Sequence, residues 1–351
     1  VIGDSGLKLS RLTYGLALTL MIGWLLWVGQ SVLIPIIAAL IAVYVLSSGA
    51  EAMGRIPPFG RVPVVWRRAL VVLGFALAVV GLFTLVSRNL TLVVSALPRY
   101  EDNLDALVDR GASLLGLEDE PSWASLRQVT FDQISTRALV GPALMSLQGI
   151  GSTLFLVVLY ASFFMAERGA FTAKLITAAG SADDGARAMS LVHRINERIG
   201  GYLFVKTVLN VILGALSYVI MLLIGIEFAL FWAVLIGFFN YIPYIGSAAG
   251  VAFPVLLSLA QFGSFLGAGA VLIALSAAQV LVGGYLEPRM MGQTFNLSPF
   301  VVVVALSVWG ALWGLAGAIL AVPMTASLVL VLAEINQTRP LAVMLSANGR
   351  V

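Results

Sequence analysis

Residues 228–286 read FALFWAVLIGFFNYIPYIGSAAGVAFPVLLSLAQFGSFLGAGAVLIALSAAQVLVGGYL, which is 59 positions between Glu227 and Glu287 without one formal charge. Apolar runs of 18 or more residues read as membrane-spanning helices. Within this stretch, Leu230 to Ala260 is one run of about thirty residues, and Phe300 to Leu332 is slightly longer. As single helices each would extend about 45–50 Å, against a hydrocarbon core of about 30 Å. Both are interrupted near the middle, the first by Asn240-Tyr-Ile-Pro-Tyr-Ile-Gly246 and the second by Gly310, Gly314 and Gly317, then Pro323. Half-runs of about fifteen residues are too short to cross separately, so a re-entrant hairpin or broken helix is expected in each. Two long tilted spans are the alternative. Interrupted backbone at membrane depth is tolerated only where protein or a water-filled cavity surrounds it, and paired Gly/Pro interruptions are the pattern of secondary transporters.

The whole chain agrees. Of its 351 residues 60% are hydrophobic and only 11% charged, against about a quarter charged in soluble domains. A water-soluble enzyme is excluded, because such a chain cannot cover a globular surface with polar groups. The net charge of +3 reflects Arg-rich loops and says little about partners. With no Cys there is no disulfide framework, thiolate metal site or cysteine nucleophile. The chain begins at Val1, so a start Met and a short tail are expected before it. Leu12 to Val28 is a full-length span with no small-residue cleavage site behind it, so it reads as membrane helix rather than signal peptide.

Further apolar runs are Val32–Leu46, Ala69–Val86, Ile150–Met165, Val208–Ile224 and Leu266–Gly283. Lys8 and Arg11 precede the first run, and Arg55, Arg61, Arg67 and Arg68 lie between the second and third. The positive-inside rule puts both regions in the cytoplasm. Residues 88–147 carry five basic and eight acidic side chains, and Leu97, Tyr100, Leu104, Leu107 and Val108 mark one face of an amphipathic helix, with Gly111, Gly116 and Pro121 after it. This stretch is expected outside. Met189, Val192, Ile195 and Ile199 mark a second amphipathic helix, with Arg187, Arg194, Glu197 and Arg198 opposite. The expected fold is an all-α polytopic membrane protein of about eight membrane segments, two of them broken or re-entrant. The expected division is a three-span scaffold over 1–87, an extracytoplasmic helical insert over 88–147, a fourth span and cytoplasmic linker helix over 148–205, and a transport region over 206–351.

Enzyme constellations are missing. His193 is the only histidine, no HExxH or Walker A motif is present, and Gly267-Ala-Gly269 lies in an apolar run as packing glycine. No metal site, cofactor or nucleic-acid partner is expected. The candidate solute contacts are Asn240, Tyr241, Pro243, Tyr244 and Gly246 at the first break, Gln279 in the charge-free span, and Pro323 at the second break. Pro removes a backbone donor and frees a carbonyl, while Asn and Tyr supply donors and acceptors for a small polar solute. Gln279 could equally bond a neighbouring helix. Glu287 and Arg289 bracket Pro288; the carboxylate could couple to a proton or sodium ion, or simply pair with Arg289. Lys206 is expected to snorkel toward the cytoplasmic surface. The pairs Gly246/Gly250, Gly263/Gly267 and Gly310/Gly314 read as close helix packing. Trp24, Trp27 and Trp66 near span ends read as interface anchors.

The strings Phe239-Asn-Tyr-Ile-Pro-Tyr-Ile-Gly246, Glu287-Pro-Arg-Met-Met-Gly292, Asn296-Leu-Ser-Pro-Phe300, Gly310-Ala-Leu-Trp-Gly-Leu-Ala-Gly317 and Ala321-Val-Pro323 together resemble the autoinducer-2 exporter family of bacterial membrane transporters. The resemblance covers the layout of essentially the whole chain, and its specific motifs lie in the C-terminal half. It implies an inner-membrane exporter of a small quorum-sensing signal, or a sodium or proton antiporter. It also implies a homo-oligomer, a pentamer, working in an elevator-like way. A non-transporting membrane scaffold or a channel-like pore is the alternative of another class.

Overall fold

A computed structural model describes residues 2–115, 136–178, 181–291 and 296–349. Among them the chain is helical, and its one β feature is an isolated bridge between Leu297 and Ser346. Seven helices among the described residues are long and apolar enough to span a membrane, with shorter apolar helices at Thr13–Val28 and Ala229–Phe239. The chain is an all-α polytopic membrane protein. Side chains such as Leu73, Leu77 and Val80 are exposed along the third span. Lipid tails are as apolar as Leu, so what holds such helices together is close packing and hydrogen bonding rather than transfer from water.

The chain forms two compact units, and each draws on both halves of the sequence. One comprises Val1–Ser48, Phe155–Gly201 and Phe295–Val351, the other Gly49–Leu154 and Tyr202–Thr294. In chain order the helices are α1 (Ile2–Val28), α2 (Gln30–Gly54), α3 (Pro57–Gly60), α4 (Val64–Ala96), α5 (Glu101–Leu115), α6 (Thr136–Ala178), α7 (Ala182–Ile224), α8 (Ala229–Phe239), α9 (Ile245–Phe262) and α10 (Phe265–Gln279). A π-helical turn (Val280–Leu286), α11 (Glu287–Met291), α12 (Pro299–Glu334) and α13 (Arg339–Leu345) complete the order. The second amphipathic segment and the fifth span are therefore one continuous helix, α7. At Gly200 a side chain would meet Ser48 Oγ at 3.2 Å and Tyr44 Cβ at 3.5 Å, so α2 packs directly on the backbone of α7 there.

In the first unit, α12 is a hairpin. Gly314, at φ 60 and ψ −139, reverses the chain in a conformation that only glycine adopts readily. Trp309 Nε1 consequently donates to Thr325 Oγ1 at 3.1 Å; in a straight helix, sixteen residues would separate them by about 24 Å. Gly317 lies so close to the Trp309 carbonyl that an added Cβ would stand 1.9 Å from its oxygen. Trp313 is buried and donates to the Leu26 carbonyl at 2.9 Å. Arg194 pairs with Glu334 in the same unit.

In the second unit, α8 and α9 form the other hairpin. A Cβ on Gly246 would stand 1.7 Å from the Phe239 oxygen, and one on Gly250 would touch Ile236 at 3.5 Å. The helix α7 lies against α8 at equally short range, since a Cβ on Gly237 would meet the Asn210 oxygen at 2.8 Å and one on Gly214 the Ala233 oxygen at 3.1 Å. Leu209, Leu213, Ile236, Val271 and Leu275 form the centre of this core. Of the three expected glycine packing pairs, Gly246/Gly250 and Gly263/Gly267 meet neighbouring helices closely, and Gly310/Gly314 does not. An added Cβ would stand 3.2 Å from Asn103 Cβ at Gly263 and 3.3 Å from Phe262 at Gly267. Gly263 caps α9 at φ +56, and a Cβ added to Gly310 would have nothing within 4 Å, while Gly314 makes the turn.

The insert keeps its expected amphipathic helix, α5, with Tyr100 and Leu107 buried. It is fastened to two turns of the second unit. Asn103 Nδ2 donates to the Gln261 carbonyl at 2.8 Å and the Ala260 carbonyl at 3.2 Å, and Arg110 donates to the Gly263 carbonyl at 3.0 Å. Glu227 accepts from Tyr100 at 2.5 Å and Arg99 at 3.3 Å. Burial, and then the bond to Glu227, push the Tyr100 phenol up to about 12, so it remains a donor. Gly116, Pro121, the acidic residues at 118–120 and Arg350 lie outside the described residues, as do the side chains of His193 and Ile195.

Candidate functional site

The tip of the α8–α9 hairpin is built by four consecutive constraints. Asn240 and Tyr241 close α8 with backbone bonds to Ile236 and Phe238. Pro243 cannot donate, so the chain stops winding. Tyr244 then takes φ 63 and ψ −61, and Ile245 N–H donates to the Pro243 carbonyl at 2.7 Å. That is a γ-turn of the rare, strained hand on a residue that has a side chain. Gly246 restarts the helix where no Cβ fits.

Asn240 is buried inside the unit. Its Nδ2 donates to Asn210 Oδ1 at 2.8 Å, and its Oδ1 accepts from Ser247 Oγ at 3.2 Å. The Tyr241 hydroxyl is 2.8 Å from Thr207 Oγ1. The Asn210 Nδ2 lies buried beside Tyr241 without a hydrogen bond of normal geometry. Tyr244, by contrast, is 61% exposed. The first break therefore divides: Asn240 and Tyr241 tie the tip to α7, while Tyr244 and Ile245 project from it.

Gln279 ends α10. Its Nε2 is buried without a partner, so the expected helix-to-helix bond from that nitrogen is not made. Together with Ser247, Ser276, Val251, Val255 and Leu272 it lines an open groove of about 590 Å³ between α9 and α10. The π-helical turn follows at once, with Glu287 N–H reaching back five residues to the Val282 carbonyl. Such turns carry one residue more than an α-helix would need and recur at functional sites.

That turn presents Glu287 to α7. Lys206 Nζ donates to both carboxylate oxygens at 2.8 Å, with the lysine side chain 6% and the glutamate 26% exposed. Two expectations are corrected here. Lys206 does not snorkel, because its stem runs to a buried opposite charge. Arg289 does not pair with Glu287; its guanidinium lies 4.0 Å from the centre of the Tyr285 ring, a cation–π contact. Residues two apart on a helix face different ways, so the two were never neighbours.

Lys206, Thr207, Asn210 and Ser247 carry no motif that assigns them a functional role from sequence. Tyr202, Lys206 and Asn210 are spaced i, i+4, i+8 and share one face of α7, which is the signal that could have found them. Pro323 belongs to the other hairpin. It is buried, and its carbonyl accepts from Ser327 Oγ at 2.7 Å. Among the described residues no three His, Asp or Glu gather as a metal site would require.

Comparison with known proteins gives the context of this geometry. Residues 16–337 match the family described as AI-2E family transporter. A Haemophilus influenzae protein named "Putative transport protein" is 28% identical over 348 residues, covering 97% of this chain and 98% of that one. The Escherichia coli K12 AI-2 transport protein TqsA is 27% identical over 343 residues, 95% of this chain and 96% of its own. A Borreliella burgdorferi protein, also named "Putative transport protein", is 34% identical over 201 residues, 57% of this chain and 55% of that one.

Proposed function

The chain belongs to the AI-2E family of transporters, and from that premise we propose that it exports a small, polar, uncharged metabolite across the inner membrane. The observation that carries this reading is the buried polar network Asn210–Asn240–Ser247 at the tip of the α8–α9 hairpin. Buried amides and hydroxyls suit a neutral solute with several hydrogen-bonding groups. Asn240, Tyr241, Pro243, Tyr244, Gly246 and Gln279 are the proposed contacts in the second unit, and Pro323 is proposed separately for the hairpin of the first. Autoinducer-2 is the first solute to test, because TqsA, an AI-2 transport protein by name, is similar along nearly its whole length.

The N- and C-termini are assigned to the cytoplasm, the 88–147 insert to the outside, and the working form to a homo-oligomer, a pentamer. Alternating access of an elevator-like kind is the proposed mechanism. Two helical hairpins support it, since discontinuous helices carry the site in transporters of inverted or repeated design.

A second reading, coupling to a sodium ion or proton, is favoured by one observation, the buried Lys206–Glu287 pair. Ionisable groups within spans commonly mark ion pathways.

The test is efflux from proteoliposomes of the purified chain loaded with autoinducer-2, with sodium and proton gradients imposed separately. Efflux above protein-free vesicles, lost in Asn240→Leu, is the expected result. Folded protein that moves no solute under any gradient supports the scaffold reading instead, and passive gradient-insensitive flux supports a pore.

A further inference from the structure

Residues 55–63 join two membrane spans, Gln30–Gly54 and Val64–Val93, so they lie at a membrane surface whichever solute the chain carries. This linker and the helix turns beside it hold Arg55, Arg61, Arg67 and Arg68 against a single carboxylate, Glu51. All of them belong to the second unit.

The linker is folded tightly onto the end of α2. An added Cβ on Gly60 would stand 3.1 Å from the Gly54 carbonyl oxygen, and the Phe59 and Gly60 N–H groups both donate to the Ile56 carbonyl. Arg55 follows Gly54 and Arg61 follows Gly60, so this one contact brings the two arginine backbones side by side. Arg67 reaches back to the same place. Its Nη1 donates to the Ala50 carbonyl at 3.5 Å and fills the space of a side chain at Gly54, where a Cβ would lie 1.5 Å from it. Arg67 thus serves the C-terminal carbonyls of α2, where a cation is favoured.

The other three arginines have no such employment. Among the described residues, Arg55, Arg61 and Arg68 make no ion pair and no side-chain hydrogen bond, and Glu51 pairs with none of them. Arg55 and Arg61 are exposed and Arg68 is half-buried. Ile56, Val64, Val65 and Trp66, in the same short stretch, are exposed as well.

We propose that this turn binds the phosphodiester head group of an anionic phospholipid. Arg55 and Arg61 hold the phosphate, Arg68 adds to the local positive potential, and Val65 and Trp66 lie against the glycerol and the first acyl carbons.

Charge complementarity is the first argument. A cluster of four or more cations beside a span is the footprint of anionic-lipid binding, and a guanidinium can grip a phosphate through two parallel hydrogen bonds. The second argument is the closed turn itself. Cations that only oriented the chain during insertion would have no need to stand together, yet the Gly54–Gly60 contact holds two like charges side by side without a carboxylate between them. An anion placed there removes their repulsion. The third argument separates a lipid from a free anion. Inorganic phosphate would leave the neighbouring apolar side chains in water, whereas a lipid covers them, and Trp rings favour the head-group level.

The experiment uses the full chain in phosphatidylcholine vesicles that contain rising fractions of dibrominated phosphatidylglycerol. Bromine quenches only nearby indoles, and the Trp66 signal is the difference between the wild type and Trp66→Phe. Both leaflets carry the probe, so the direction of insertion does not affect the reading. Each arginine near the surface should favour the anionic lipid by about fivefold, so the three together should favour it over brominated phosphatidylcholine by about a hundredfold. Arg55→Gln and Arg61→Gln, each checked for helix content, should each lower that preference by about fivefold. Equal quenching of Trp66 by the two brominated lipids overturns the proposal, and so does a preference that neither arginine variant lowers. Release of the lipid by millimolar inorganic phosphate would assign the turn to a free anion and overturn it too.

Discussion

Replacing Lys206 by Met leaves the Glu287 carboxylate in its pocket without a counter-charge. Breaking one side of a buried pair typically costs about 3–5 kcal/mol, most of it the desolvation of the partner left behind. The glutamate side chain keeps 26% of its surface exposed and can draw in water, so the low end, about 3 kcal/mol, is the expected loss. The double variant Lys206→Met/Glu287→Leu removes both charges, and its loss should be no larger than that of Lys206→Met alone, a coupling of about 2 kcal/mol or more between the two sites. Reversible unfolding in mixed micelles, in sodium-free buffer, measures Lys206→Met, Glu287→Leu and the double variant against the wild type. If the single losses are each below about 1 kcal/mol and simply add, the pair is not holding α7 to α11, and the reasoning about its burial fails.

Gly246→Ala should unfold or open the α8–α9 hairpin outright, because its Cβ would lie 1.7 Å from the Phe239 oxygen, whereas Gly314→Ala meets open space and should cost only about 1–3 kcal/mol of backbone strain; helix content and melting temperature of the two proteins tell them apart. Asn103→Cys with Gly263→Cys should oxidise to a disulfide, since an added Cβ at 263 lies 3.2 Å from Asn103 Cβ, slightly inside the usual span of about 3.5–4.5 Å; gel mobility with and without reductant reads it, and a pair that remains reduced would show that α5 leaves the α9–α10 turn. Because the native chain has no Cys, Ser113→Cys should label with an impermeant maleimide in intact cells, and labelling only after permeabilisation would invert the assigned topology.

Run lengths made both hairpins legible, because thirty apolar residues and a mid-run Gly or Pro leave few ways to fit a bilayer. Asn240 and Tyr241 were visible for the same reason, being polar residues at a break. The amphipathic rhythm from Tyr100 to Val108 likewise sufficed to locate α5. What was not legible is contact between distant positions. Lys206 and Glu287 are 81 positions apart, and nothing local marks them as partners, whereas Arg289, two residues from Glu287, was the natural but geometrically wrong choice. The direction of Tyr244 was equally hidden, since it depends on a γ-turn that Pro243 permits but does not by itself dictate. The clasp from α5 also escaped notice, because Asn103 and Arg110 bond backbone carbonyls, whose positions carry no side-chain signature.

The π-helical turn at Val280–Leu286 has a consequence for how this chain can change length. Each residue of an α-helix advances the screw by about 100°, so the extra residue in the turn sets the phase of everything after it. Deleting Gly283 or Gly284 would let the segment wind as ordinary α-helix and would leave hydropathy, span length and charge content almost unaltered. It would nonetheless rotate the Glu287 side chain by about a quarter-turn or more and carry it away from α7. A chain one residue shorter here would look the same by composition and be out of step at the one carboxylate that Lys206 grips.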